Sequence, residues 1–141
     1  GRAGGGVTEF PIIIPGECVP QGSKSVNRET GHMFEANARL KAWRKEAGIA
    51  LDQNVGTWFG AWTPYDGPLH VDVTFYIERG KTVTRELPSV KPDLDKLQRA
   101  LGDMLTIAGI ITDDARITRW SPRKRYGEPS TVIHLIEKDR P

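Results

Sequence analysis

The sequence predicts a single α/β domain built on a mixed β-sheet, in the order strand, helix, strand, helix, strand, strand. Three observations carry this. A chain of 141 residues, 38% hydrophobic and 27% charged, suits one domain with its own core. Two stretches place apolar residues at helical spacing, and the segments around them alternate or are rich in β-branched residues. Strand–helix–strand units imply parallel pairing through right-handed crossovers, and a closing hairpin would add an antiparallel strand.

In chain order, residues 1–7 are glycine-rich and read as a flexible end, leaving 8–141 as the domain. Thr8 to Gly16 contains Phe10, Ile12, Ile13 and Ile14, a strand that Pro11 and Pro15 confine to an edge. Cys18 to Asn27 is small, polar and turn-rich. It is either a solvated loop or one that offers amides, Ser23, Lys24 and Ser25 to phosphates. Glu29 to Met33 reads as a hairpin or turn with Gly31 at its tip. Ala36 to Asp52 reads as a helix, because Leu40, Trp43, Ala47, Ala50 and Leu51 recur on one face. Its Arg39, Lys41, Arg44 and Lys45 are a solvated face or a patch for a polyanion.

Asn54 to Pro68 reads as a loop from its glycines, its prolines and Asp66. Its Trp58, Phe59, Trp62 and Tyr65 suit a core or an interface better than base stacking. Leu69 to Ile77 alternates strictly and predicts a half-buried strand, with Asp72 on its outer face as a surface residue. Glu78 to Val90 is charged and aperiodic, which predicts a mobile loop whose Lys81 and Arg85 would touch phosphates. Ala115 to Lys124 and Ser130 to Glu137 read as a hairpin joined near Tyr126-Gly127-Glu128-Pro129.

The stretch Lys91 to Arg116, KPDLDKLQRALGDMLTIAGIITDDAR, holds the chemistry. Pro92 disfavours a helical Lys91, and Asp93 is a good N-cap. Leu94, Leu97, Ala100, Leu101, Met104 and Leu105 form an apolar face, and Asp95, Arg99 and Asp103 share the opposite one. Asp93 with Asp95, and Asp113 with Asp114, bracket this helix. Each pair alone is an ordinary helix start or turn. Together they suit a hard divalent cation, which prefers carboxylate oxygens and substrate phosphate.

The run K-P-D-L-D-x-L-x-x-A-L-x-D-x-L, the later D-D, the early G-x-x-V-P-Q-G-S-K and the late Y-G-E-P resemble the RusA-type Holliday-junction resolvases of bacteria and phages, over Phe10 to Glu137. The resemblance implies a RusA-like fold and a homodimeric, Mg²⁺-dependent endodeoxyribonuclease, with Mn²⁺ as a substitute, that nicks four-way DNA junctions in recombination and repair. It implies catalytic and metal-binding roles for Asp93, Asp95 and Asp114, with Asp113 as the adjacent ligand. The family often has Asn and Lys where this chain has Lys96 and Arg99. Arg99 does not release a proton readily, so its role is phosphate binding or charge stabilisation. Ser23, Lys24, Arg28, Lys91, Lys96, Arg116 and Arg119 would contact DNA.

A net charge of +2 means that DNA must be held by local patches. Cys18, the single cysteine, excludes a disulfide framework or a cysteine zinc site within one chain and reads as a small buried residue. No apolar run approaches a membrane span, and no signal peptide is visible, so a cytoplasmic protein without a membrane partner is expected. Two rivals are a junction-binding protein without catalysis and a purely structural protein; a flap or general branched-DNA nuclease is a third.

Length constrains the site. Leu94 to Ala108 as a straight helix is about 22 Å long. The link Gly109 to Thr112 reaches back about 14 Å at most. Asp93 and Asp114 therefore meet easily only if the helix ends early or breaks, or if two protomers share a site.

Overall fold

The computed structural model describes residues 11–20, 30–58 and 64–137, with the backbone alone at 30–37 and 54–58. The predicted Ser23, Lys24 and Arg28, the end 1–7, Phe59 and Trp62 lie outside the described residues. So does the side chain of Trp58. The elements are β1 (Ile12–Pro15), α1 (Thr30–Trp58), β2 (Leu69–Ile77), α2 (Leu94–Ile107), a 3₁₀ turn (Asp114–Arg116), β3 (Ile117–Tyr126) and β4 (Ser130–Glu137). The predicted element order and the mixed α/β sheet are both present.

The described strands form one sheet in the order β1-β4-β2-β3. β4 runs antiparallel to β1 and β2, and β3 runs parallel to β2. Proline explains which strands take the edges. It cannot donate to a ladder, so β1 with Pro15 and β3 with Pro122 lie outside, and the proline-free β2 and β4 lie inside. Four basic side chains on β3 also protect its edge from a further strand.

Two predicted pairings are corrected. The unit β2–α2–β3 pairs its strands directly, as expected, but β4 separates β1 from β2. β3 and β4 are not a hairpin, because β2 lies between them. Residues 127–129 step over the end of β2. The Gly127 amide donates to the Ile77 carbonyl at 3.0 Å, and a Cβ on Gly127 would stand 2.7 Å from the Tyr76 ring. A glycine lets the backbone pass that close. Two strand spacings are about 9.5 Å, within reach of so short a link. Sequence proximity looks the same for a hairpin and for this step.

α1 is described from Thr30 to Trp58, so residues 30–33 of the turn predicted at Glu29 to Met33 and residues 54–58 of the loop predicted from Asn54 are helical. A helical glycine costs about 1 kcal/mol, a preference weak enough for tertiary context to override. Trp43, Ala47, Ala50 and Leu51 are buried, which fixes the register of α1 as predicted. α2 buries Leu97, Ala100, Leu101, Met104 and Leu105. Both helices meet the sheet on one face, against Ile12, Ile14, Val71, Val73, Phe75, Ile133 and Leu135. Cys18 is buried in this core, as expected, and its thiol is held protonated by burial.

A bulge opens β3. Leu69 faces Ile117 but His70 faces Arg119, so Thr118 is the extra residue. The shift puts Trp120 in register with Val71 on the core face and turns Arg119 outward. Without it the guanidinium would point at the core.

Candidate active site: two acidic clusters along one helix

α2 positions the first cluster. Asp93 occupies the N-cap with extended backbone, and its carbonyl accepts from the Lys96 and Leu97 amides at 3.1 and 3.2 Å. Its carboxylate makes no capping hydrogen bond, contrary to the usual use of an N-cap aspartate. It keeps its lone pairs for another partner and stands 3.9 Å from the Lys96 ammonium. Asp95 follows in the exposed first turn.

The loop before Asp93 is held by the sheet. Lys124 projects from the core face of β3 and donates to the carbonyls of Val90 and Pro92 at 2.7 and 2.9 Å. Arg85 donates to the Tyr126 hydroxyl at 2.9 Å, and Arg79 lies 4.6 Å above the same ring. The loop predicted to be mobile is therefore tied to the end of β3 by Lys124, Arg79 and Arg85, the last of which the sequence reading sent to phosphates.

The second cluster lies farther along α2. The helix neither breaks nor ends at Gly102; it runs through to Ile107. Gly109, at φ 75°, then reverses the chain, and Ile110 and Ile111 donate back to the Leu105 carbonyl. The return brings Asp114 beside Gly102, where a Cβ would lie 3.7 Å from the Asp114 Cβ and 3.8 Å from the Trp120 ring. Asp95, Arg99, Gly102 and Asp103 share one helical face. Arg99 therefore stands between the two acidic groups, and Asp114 lies about 10 Å along the axis from Asp95.

Electrostatics mark the second cluster. Asp113 accepts from the Ala115 amide at 3.1 Å and shares a hydrogen bond with Asp114; both hold its carboxyl below the ordinary range. Asp114 is pushed up, first by that shared hydrogen bond, then by burial and by the charges of Asp113 and Asp103. Two acids that share a proton are a site where a cation would relieve repulsion. Among the described residues, no three carboxylate, imidazole or thiol groups stand close enough to form one metal cage.

The other predicted residues are distributed unevenly. Lys91 and Lys96 flank the first cluster. Arg116 follows the second and donates its Nε hydrogen to Asp66 at 2.8 Å. Arg119 lies on the opposite face of the sheet, in register with His70. Asp72 lies on that face too, but Arg123 binds it at 2.8 Å, so it is an ion-pair partner and not a bare surface residue. Sequence reading missed Asp66, Lys124 and the Gly102–Asp114 approach. For Lys124, strand parity was the available signal; for Asp66 there was none.

The family model described as endodeoxyribonuclease RusA matches residues 15–136. The chain belongs to the RusA endodeoxyribonuclease family. The comparison with curated proteins finds no significant match. Membership makes this RusA-family chain an endodeoxyribonuclease, a hydrolase of DNA, and the acids of α2 and its return are its candidate machinery. No helix of the described residues is long and apolar enough to cross a membrane.

Proposed function

We propose that the protein resolves four-way DNA junctions by paired nicks, with divalent metal, as a homodimer. The observation that supports this most is the face of α2 on which Arg99 stands between Asp95 and the Gly102–Asp114 contact. Acids flanking one guanidinium are suited to a phosphodiester: Arg99 binds the scissile phosphate in the planar, two-pronged manner open to Arg. Lys91 and Lys96 hold the flanking backbone.

The donor set fits Mg²⁺ or Mn²⁺, because all the oxygens are hard carboxylates and the Asp93 side chain is uncommitted to its helix. Asp93, Asp95 and Asp114 would hold the ion, with Asp113 beside them. Bound there, it would lower the pKa of water and offset the charge that builds on the phosphate. The chain's own part is to orient the phosphate at Arg99 and to keep Asp93 in place through Lys124. The gap of about 10 Å along α2 exceeds the roughly 4 Å between ions of a two-metal centre. A shared ion therefore calls for a contribution from a second protomer or for closure of the gap on substrate. A twofold dimer also matches the approximate symmetry of a four-way junction.

The test is nicking of a synthetic four-way junction in Mg²⁺ by the wild type and by Asp95→Asn. Symmetric nicks by the wild type, reduced about 10²-fold or more in the variant, support the proposal. Equal cutting by both would sink the catalytic assignment. Equal cutting of flaps and junctions would replace a resolvase with a broader branched-DNA nuclease. Junction binding without cleavage in either metal would leave a binding protein. Salt dependence of that binding reads the phosphate contacts.

A further inference from the structure

We infer that Asp66, far from the acidic motif in sequence, is a positioning residue for the Asp113–Asp114 pair. The inference rests on the reading that this pair holds metal. Tyr65 forms a parallel bridge with Ile111: its amide donates to the Ile110 carbonyl at 2.9 Å, and its carbonyl accepts from the Thr112 amide at 3.0 Å. This sets Asp66 beside the segment that carries the acids. One oxygen of Asp66 then accepts two hydrogen bonds, from the Thr112 hydroxyl at 2.6 Å and from Arg116 Nε at 2.8 Å.

The two donors bracket the acids. Thr112 immediately precedes Asp113, and Arg116 closes the turn that begins at Asp114, where its amide donates to the Asp113 carbonyl at 3.0 Å. Asp66 thus pins both ends of the five-residue segment, Thr112 to Arg116, that carries the two acids. The loop is itself braced. The Tyr65 hydroxyl donates to the Pro68 carbonyl at 3.0 Å, and a Cβ on Gly67 would stand 2.7 Å from that hydroxyl oxygen. A side chain at position 67 would therefore push the Tyr65 ring out of this place.

Asp66 is largely exposed, with 67% of its side chain accessible, so its ion pair with Arg116 adds little to global stability. Its effect is local. It fixes the direction in which a metal-binding turn presents its carboxylates, the role that outer partners of metal ligands serve generally. Geometry and overall stability therefore separate on mutation.

The experiment compares wild type, Asp66→Ala, Thr112→Val and the double variant; alanine removes the oxygen that both donors use. Five quantities are read: the Mg²⁺ concentration for half-maximal junction nicking, kcat, junction Kd in Ca²⁺, Mn²⁺ affinity by calorimetry without DNA, and Tm. Asp66→Ala is expected to raise the half-saturating Mg²⁺, weaken Mn²⁺ binding and lower kcat, each by about 10-fold or more. Junction Kd and Tm should stay near wild type. The double variant should be little worse than Asp66→Ala, because Thr112 acts through the same oxygen. Wild-type metal dependence in Asp66→Ala overturns the inference, and so does full additivity in the double variant. Should Asp66→Ala lose its fold, Thr112→Val alone must show the metal shift, and a wild-type response there overturns the inference. A wild type that binds Mn²⁺ but nicks no branched DNA defeats the proposed function and leaves the calorimetric comparison to decide on Asp66. A wild type that binds no Mn²⁺ defeats both.

Discussion

Gly102 and Asp114 touch across the return of the chain, with 3.7 Å between the Asp114 Cβ and the position of a Cβ on Gly102. The contact brings the second acidic cluster onto the same helical face as Asp95 and Arg99. At that distance one methyl group is in ordinary van der Waals contact, while a larger side chain collides with Asp114 and Trp120.

Gly102→Ala should therefore keep nicking activity and raise stability by about 0.5–1 kcal/mol, as alanine favours a helix over glycine. Gly102→Leu should cost roughly 1–3 kcal/mol from overpacking and displace Asp114, so that nicking falls with it. Denaturant unfolding and a junction-cleavage assay measure the two effects. A fully active Gly102→Leu would show that the position of Asp114 beside α2 is irrelevant to the reaction.

Arg99 is expected to act through its positive charge and not as a general acid. Arg99→Lys should retain activity within about 10-fold, whereas Arg99→Gln should lose roughly 10²-fold. Single-turnover rates at saturating junction separate chemistry from binding. An Arg99→Gln as fast as wild type would remove Arg99 from the site.

The acid pair sets a pH dependence whose sign follows from its two shifts. Asp114 is raised above the ordinary 3.8, so its folded form prefers the proton; the stability this lends is complete at low pH and is lost as pH rises through its raised pKa. Asp113 is lowered, so its contribution is present above the ordinary value and is lost as pH falls through its depressed pKa. Metal competes with the proton that Asp114 holds more tightly than an ordinary aspartate, so Mn²⁺ affinity should fall on acidification with a midpoint above the ordinary 3.8. Asp113→Asn should move that midpoint down. Calorimetric titrations between pH 4 and 7, on the order of one unit apart, read this. A midpoint unchanged in Asp113→Asn would contradict the shared proton.

Lys124 donates to the two carbonyls that precede Asp93, at 2.7 and 2.9 Å. Lys124→Met keeps the stem and removes both donors. The loss should cost roughly 1–3 kcal/mol and lower the nicking rate more than junction affinity. The comparison of kcat with junction Kd in Ca²⁺ tests it. A drop in affinity alone would mean that Lys124 binds DNA and not the loop.

The sequence by itself determined the types and order of the elements. Periodicity marks the buried faces of α1, α2 and β2, and Asp93 is the N-cap of α2 as its position after Pro92 predicts. Pro15 announces β1 as an edge strand. The two acidic pairs are visible in the sequence, because each is a local run of residues. Tertiary structure decided what meets what. β2 separates β3 from β4, Asp66 reaches Arg116 across 50 positions, and Lys124 reaches Pro92 across 32. Periodicity reports which face of an element is apolar, and it carries no record of which distant partner that face or its polar rim will find. Those pairings arise when a whole sheet and two helices bury one core together, and here they fix where each carboxylate points.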